Sequence, residues 1–406
     1  MKSSDLIKHL TESGLMPKEE MLEVRKSERN LFIGIPKETA LQENRVALVP
    51  DSVGLLVNNG HRVIIESNAG EAANFTDKDY SEAGAEIVSE SNEVYKANII
   101  IKVAPPTLAE IQMLDVKQKQ ILFSALQISS QPKDCIKELM KKKVTGIAYD
   151  FIKDREGVYP IVRSMSEIAG NTSILIAAEL LSNANGGHGV MMGGIPGVKP
   201  TEVVILGSGG VGEFAARAAL GLGANIKLFD DEAHKLRRTL NNLGQRVYTS
   251  IMQPKLLKKA LKNADVVIGA LRPKNGRTPC VVTEEMVSEM KYGSVIIDVS
   301  IDTGGCFETS EVRSHENPVY KKYGVTHYCV PNVASRVSRT ASYALSNVFT
   351  PLLLEMGEGG GLEKMMHSQS GIKNGIYMFK GILTSKVLGE TFDLPYKDID
   401  LLMAAI

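Results

Sequence analysis

Charge of one sign is missing from this 406-residue sequence: 47 lysines and arginines are balanced by 47 aspartates and glutamates. No basic surplus draws in nucleic acid or an anionic membrane, so neither is expected as a partner. Long hydrophobic runs are missing too. None approaches the roughly 20 residues of a membrane-spanning helix, and the first residues lack the apolar core of a secretory signal. Cysteine is scarce. Cys135, Cys280, Cys306 and Cys329 stand far apart, with no C-x-x-C pair and no zinc spacing. That excludes a disulfide framework, implies no metal site and fits reduced thiols in the cytoplasm. Repeats and low-complexity tracts are absent. What remains reads as a soluble globular chain long enough for two or three domains.

The rest of the sequence is organised around the stretch Glu202 to Asp231. Four apolar residues, Val203 to Leu206, suit a buried parallel strand. Gly207, Gly209 and Gly212 follow in G-x-G-x-x-G spacing, then a small-residue helix, then a second strand, Ile226 to Phe229, ending on Asp230. Gly207 permits the tight turn, Gly209 lets the backbone approach a pyrophosphate, and Gly212 lets helix and strand pack closely. The helix N-terminus offers free N–H groups to the phosphates. Asp230 lies where an acid accepts hydrogen bonds from the ribose and repels a 2′-phosphate, which favours NAD over NADP.

From Leu31 the chain alternates apolar runs with helical patterns. Strands are expected at Leu31–Ile35, Val63–Ile65, Ile99–Val103, Ile121–Leu126 and Val144–Ala148, with helices between them. Such alternation implies a parallel sheet covered on both faces. Met165 to Asn183 reads as one long helix leading out, followed by a glycine-rich loop from Gly186 to Gly197. After the organising stretch come strands at Val247–Ile251, Val266–Gly269, Val295–Val299 and Thr326–Val330, making a six-stranded dinucleotide-binding sheet. A last long helix, about Thr340 to Glu355, returns the chain to the first domain. The expected fold is α/β, with two doubly wound open-sheet domains, the second a Rossmann domain inserted into a discontinuous first. The division is residues 1–30 as an N-terminal extension, 31–163 with 340–406 as a substrate domain, and 164–339 as an NAD domain.

Several motifs are specific: I-G-I-P-K-E with R-V-A-L-V-P soon after, S-M-S-E-I-A-G, M-M-G-G-I-P-G-V, D-V-S-I-D-T-G-G-C-F-E and H-Y-C-V-P-N. In these the chain resembles alanine dehydrogenase and the related soluble NAD-binding part of proton-translocating transhydrogenases, from Leu31 to the C-terminus. The wording of the motifs is more similar to alanine dehydrogenases. The resemblance implies reversible oxidative deamination of L-alanine to pyruvate and ammonium with NAD as cofactor, an amino-acid or 2-oxo-acid substrate, and a homo-oligomer, hexamer or dimer. Carried over by position, Arg45 resembles the clamp for the substrate carboxylate, a task suited to a guanidinium fork. Asp302 resembles the aspartate serving the ammonia and proton steps. Asn332, Ser166 and Lys235 match cofactor-contacting positions, Asn332 also lying at the substrate, Ser208 belongs to the phosphate loop, and Met165 matches an apolar wall beside the substrate.

Two positions depart from the family. Its second lysine is Ala104, and its catalytic histidine is Gln127, which donates a hydrogen bond but exchanges no proton near neutral pH. Lys102, two residues from Ala104 on the same strand, is a candidate substrate contact. Arg163 and Arg336 lie close to site motifs, where they either hold a more acidic substrate or face solvent. His327 and His188 offer no obvious substitute for the missing histidine. An alternative to the dehydrogenase is therefore a non-catalytic or transhydrogenase-like NAD(H)-binding protein.

Overall fold

The strongest sequence feature, runs of apolar residues too short for helices, becomes two separate parallel sheets. The computed structural model describes residues 30–126, 132–273, 276–368 and 370–404. The expected N-terminal extension and Gln127 lie outside the described residues, apart from Asn30.

The first sheet is eight-stranded. It contains β1 (Phe32–Ile35), β2 (Arg62–Glu66), β3 (Glu86–Val88), β4 (Ile99–Ile101), β5 (Ile121–Ser124) and β6 (Thr145–Ala148), with β14 (Ile376–Phe379) and β15 (Ile382–Leu383) added at one edge. Their order is β15-β14-β6-β5-β4-β1-β2-β3. β1 to β6 are parallel, and β14 runs antiparallel to β6. Because successive side chains alternate, Ile33 and Ile35 enter one core, while Ile64, Ile100 and Leu122 enter another on the opposite face. A strand buried on both sides must be apolar at every position, hence the continuous runs.

The second sheet is seven-stranded, in the order β12-β13-β11-β10-β7-β8-β9. Its strands are β7 (Glu202–Leu206), β8 (Asn225–Phe229), β9 (Tyr248–Ser250), β10 (Val266–Gly269), β11 (Val295–Asp298), β12 (Val319–Lys322) and β13 (Val325–Tyr328). Val203 and Ile205 pack on one face and Val204 and Leu206 on the other. Leaving out its antiparallel edge strand β12, this is the 3-2-1-4-5-6 order of a dinucleotide-binding sheet. β1 to β6 of the first sheet repeat it. In such sheets ligands gather beyond the carboxyl ends of the strands, at the point where the strand order reverses. Those points lie between β1 and β4 in the first sheet and between β7 and β10 in the second.

The sequence reading missed β3, β12 and the short helix Asp77–Glu82, so the second sheet has seven strands rather than six. β12 is an edge strand with exposed Val319 and Lys321, and so carries no apolar run. The long connecting helix spans Pro160–Leu181 and starts five residues earlier than expected, since Pro160 occupies the first turn, where proline fits. The returning helix spans Ser338–Glu358. The two pack against each other where the chain passes between the sheets.

Candidate functional site

The phosphate loop joins β7 to the helix Gly210–Gly221. Gly207 has φ +107, and a Cβ there would lie 2.4 Å from the Ala270 carbonyl oxygen. At Gly212 a Cβ would fall 1.8 Å from the carbonyl oxygen of Gly207, so neither position admits another residue. Gly209, by contrast, has nothing within 4 Å of its Cβ direction. It is the helix N-cap and offers no side chain to the helix, so the first N–H groups remain available to an anion. This open, uncapped cradle fits the pyrophosphate of a dinucleotide.

Asp230, at the end of β8, is buried and accepts from the Ser208 N–H at 2.7 Å and the Glu232 N–H at 2.8 Å. The acid is thus tied to the loop. Ser208 serves through its backbone, because its hydroxyl donates to Thr239 Oγ1 at 2.8 Å inside the core. Lys235 pairs with Glu232 at 2.9 Å. Ser166 stands against the loop from the long helix: a Cβ on Gly210 would come within 2.9 Å of its own Cβ. Ser166 and Gly210 share a crevice of about 300 Å³ with Arg163, Arg238 and Arg272.

The opposite end of the site is assembled from both sheets. Arg45 follows β1. Its Nε and Nη2 donate to Glu43 at 2.7 and 2.5 Å, and Nη1 lies 3.3 Å from the Met165 sulfur. One edge of the fork is therefore engaged and the other faces the thioether. Burial works against the Arg45 charge, but Glu43 outweighs it and holds the guanidinium pKa above its ordinary value. From the second sheet, Asn332 donates its side-chain N–H to Glu43 at 3.0 Å and its main-chain N–H to Asp302 at 2.8 Å. Asn332 adopts a left-handed conformation, φ +56, which asparagine tolerates better than most residues. Asp302 sits in the turn Val299–Thr303 after β11. Asp298, one strand end earlier, fixes that turn by accepting from Ser300 N–H, Cys306 N–H and the Ser310 hydroxyl. Asp302 stays open to solvent, and the protein packed around it shifts its carboxyl above its ordinary pKa, partly offset by the Asn332 N–H and the charge of Arg45.

The segment carrying Arg45 is held by a row of serines. Ser335 Oγ accepts the Asn44 N–H at 2.8 Å, Ser342 the Val46 N–H at 2.9 Å and Ser346 the Val49 N–H at 2.7 Å. The spacing Ser338, Ser342, Ser346 on one helix face was a readable signal that the sequence analysis did not use, and Glu43 was missed with it. Where the family's second lysine is replaced, Ala104 is buried and its N–H points to Glu38 at 3.3 Å. Lys102, expected at the substrate, is instead placed between Glu38 at 3.1 Å and Glu110 at 2.8 Å with its side chain 1% exposed. Burial opposes its charge, but the two glutamates together keep the ammonium protonated. Through Glu38 and Glu110 it braces the junction of β1 and β4.

Arg163 is paired with Glu167 at 2.9 Å, and Arg336 with Glu179 at 3.1 Å. His327 is buried against Thr309, and His188 packs edge-on to Tyr292. Among the described residues, no group of three or more His, Cys, Asp or Glu side chains is placed to hold a metal ion, and no helix is long and apolar enough to cross a membrane.

Comparison with known proteins places most of the chain in one family. Residues 34–169 match the N-terminal domain model of alanine dehydrogenase/PNT, and residues 173–386 its C-terminal domain model. Alanine dehydrogenase from Staphylococcus saprophyticus is 40% identical over 371 residues, covering 91% of this chain and 99% of that protein. Alanine dehydrogenase 2 of Staphylococcus aureus is 39% identical, covering 91% and 98%. A solved L-alanine dehydrogenase superposes with a TM-score of 0.82 at 37% identity, over 89% of this chain and 99% of that one. A transhydrogenase from Sinorhizobium meliloti shares the fold at a TM-score of 0.73 and 23% identity, over 87% and 99%. With both domain models matched and relatives aligned over nearly their whole length, the chain belongs to the alanine dehydrogenase/PNT family.

Proposed function

We propose that the protein is an NAD-dependent amino-acid dehydrogenase that interconverts L-alanine, NAD and water with pyruvate, ammonium and NADH. The observation that carries this reading is the meeting of Arg45 from the first sheet with Asn332 and Asp302 from the second, linked through Glu43. Bound NAD supplies the hydride acceptor. Gly207, Ser208, Gly209, Gly212 and Ser166 would hold its pyrophosphate, and Asp230 with Lys235 its adenosine ribose. Arg45 takes the substrate carboxylate on the edge of its fork that Glu43 leaves free, beside the apolar wall of Met165. Asp302 faces the developing positive charge at the amino-bearing carbon. The upward shift of its carboxyl makes it the readier to take a proton from the substrate and return it. Lys102 supports the substrate end through Glu38, whose carboxylate also accepts the Val103 and Ala104 N–H groups.

In this reading residues 31–163 and 340–406 form the substrate unit and 164–339 the cofactor unit. The protein works in the cytoplasm as a homo-oligomer, a hexamer or dimer. Ala104 and Gln127 favour a second reading, an NAD(H)-binding protein without dehydrogenase chemistry, because neither side chain exchanges a proton near neutral pH. An NADH-oxidation assay with ammonium and a panel of 2-oxo acids, alongside calorimetric NADH binding, separates the two. Turnover with pyruvate is the expected result. Tight NADH binding without turnover on any oxo acid would establish the second reading instead, and failure of both would remove the role given to the phosphate loop.

A further inference from the structure

Ser208, the second residue of the phosphate loop, is held on three sides. Its N–H donates to Asp230 at 2.7 Å, its hydroxyl donates to Thr239 Oγ1 at 2.8 Å, and its carbonyl oxygen accepts from Arg238 Nη2 at 3.1 Å. Thr239 and Arg238 are neighbours on the helix Ala233–Leu243, which follows β8. Thr239 is buried, and its hydroxyl also lies 3.4 Å from the Ser208 carbonyl oxygen. The threonine therefore fixes the register of that helix against the loop, and with it the place of the arginine one residue earlier. The G-x-G-x-x-G fingerprint asks for neither residue, since it works through backbone N–H groups and close packing.

One nitrogen of Arg238 is spent on Ser208. The rest of the guanidinium is exposed, in the crevice of about 300 Å³ that Arg238 lines with Gly210, Ser166 and Arg272. Two acids, Glu167 and Glu213, line the same crevice, and both are already engaged. Glu167 pairs with Arg163 at 2.9 Å; Glu213 accepts from Asn242 Nδ2 at 2.9 Å and lies 3.7 Å from Arg217. Among the described residues, neither Arg238 nor Arg272 pairs with a carboxylate, and Arg272 is felt at longer range by Asp150. Positive charge that the fold does not consume is thus gathered beside the first turn of the helix Gly210–Gly221. A dinucleotide brings a pyrophosphate with two negative charges to that turn, and a guanidinium fork matches phosphate oxygens.

We propose that Arg238 is a cofactor-binding residue: anchored through Nη2 on the Ser208 carbonyl, it turns its remaining donors to the pyrophosphate of NAD(H) in this crevice. The anchor already orders a long side chain, so less rotamer freedom is lost when the cofactor arrives. Thr239 touches no ligand; it is a positioning residue that acts through Ser208. The same bond makes the arginine answer to the loop, because a shift of Ser208 carries its guanidinium along. The inference rests on the assignment of the loop and crevice to the cofactor, and is independent of which oxo acid is the substrate.

The test is calorimetric binding of NADH, ADP-ribose and NADPH to the full chain, at low and high salt, in the wild type, Arg238→Gln, Arg238→Lys and Thr239→Val. In Arg238→Gln the affinities for NADH and ADP-ribose are both expected to fall roughly 10-fold or more, the loss of a charge-assisted bond, and the deficit to shrink as salt screens the wild-type contact. Arg238→Lys keeps the charge without the fork, so it is expected to lose less. Thr239→Val disturbs the support of the loop but leaves the guanidinium, and its salt dependence is expected to match the wild type. Unchanged NADH affinity in Arg238→Gln overturns the proposal. So does a deficit that ignores salt, which would make Arg238 a brace for Ser208 alone, and so does a loss confined to NADPH, which would place it at the adenosine ribose. A wild-type chain that binds no NADH would overturn the cofactor assignment and the proposal together, whereas intact wild-type binding with an unaffected Arg238→Gln removes the proposal alone.

Discussion

Arg45 shows how much a single position depends on its surroundings. A guanidinium buried beside a bidentate glutamate is neutralised on one edge, and only a planar fork can serve Glu43 and a substrate carboxylate together. Arg45→Lys keeps the charge but offers one compact ammonium. The expected outcome is a KM for pyruvate raised roughly 10- to 100-fold, from the loss of a charge-assisted bond of about 1.5–3 kcal/mol, with kcat changed much less. Steady-state kinetics at saturating NADH and ammonium checks this, and an unchanged KM would remove Arg45 from carboxylate recognition. Arg45 and Asp302 were legible in the sequence because each sits in a specific motif. Glu43 was not, since an acid two residues before an arginine reads as solvated surface until the second sheet is brought against it. The setting of Lys102 was hidden for a related reason: strand periodicity gives the face of a side chain, but not the two glutamates that meet it there.

At the scale of elements, the long helix Pro160–Leu181 presents Ser166 to the phosphate loop and Met165 to Arg45 one residue apart. It can do so because Gly170 lets it lie almost on the loop's own helix. A Cβ at Gly170 would sit 2.5 Å from the Val211 carbonyl oxygen and 2.9 Å from the Ala215 nitrogen. Gly170→Ala must push the two helices apart, so it is expected to cost about 1–3 kcal/mol of stability and to weaken NADH binding several-fold. Urea denaturation and calorimetry read the two effects separately; unaltered NADH affinity would mean that the loop does not depend on that helix contact. Elements carrying continuous apolar runs were legible, because burial on both faces writes itself into every position. β12 and the edge pair β14 and β15 were harder to place, since edge strands face water and their partners lie far along the chain.

Across the whole molecule, two sheets share one strand order, with the phosphate loop at the strand-reversal point of the second and Arg45 following β1 at that of the first. The junction also stores a pH dependence. Asp150, just beyond β6, accepts the Leu126 N–H at 3.2 Å, and burial raises its carboxyl pKa from 3.8 to about 6. Between those values the folded protein binds more protons at this group than the unfolded chain, so stability falls as pH rises through the interval. The full effect is of order 3 kcal/mol. Asp150→Asn is expected to flatten this slope and to raise stability at pH 7 by about 1–3 kcal/mol, measured as urea unfolding free energies at pH 4.5 and pH 7. Equal slopes in the two proteins would show that Asp150 is ionised as readily in the fold as outside it.

The position of β14 and β15 also orders events during synthesis on the ribosome. Every strand of the second sheet is made before either of them, yet both belong at the edge of the first sheet, beside β6. The nascent chain therefore holds β6 as an open edge while the inserted unit, whose strands are contiguous in sequence, completes its own pairing. An open parallel edge is the kind of surface that recruits wrong partners, so the last stretch of chain closes the seam that premature release or truncation would leave exposed.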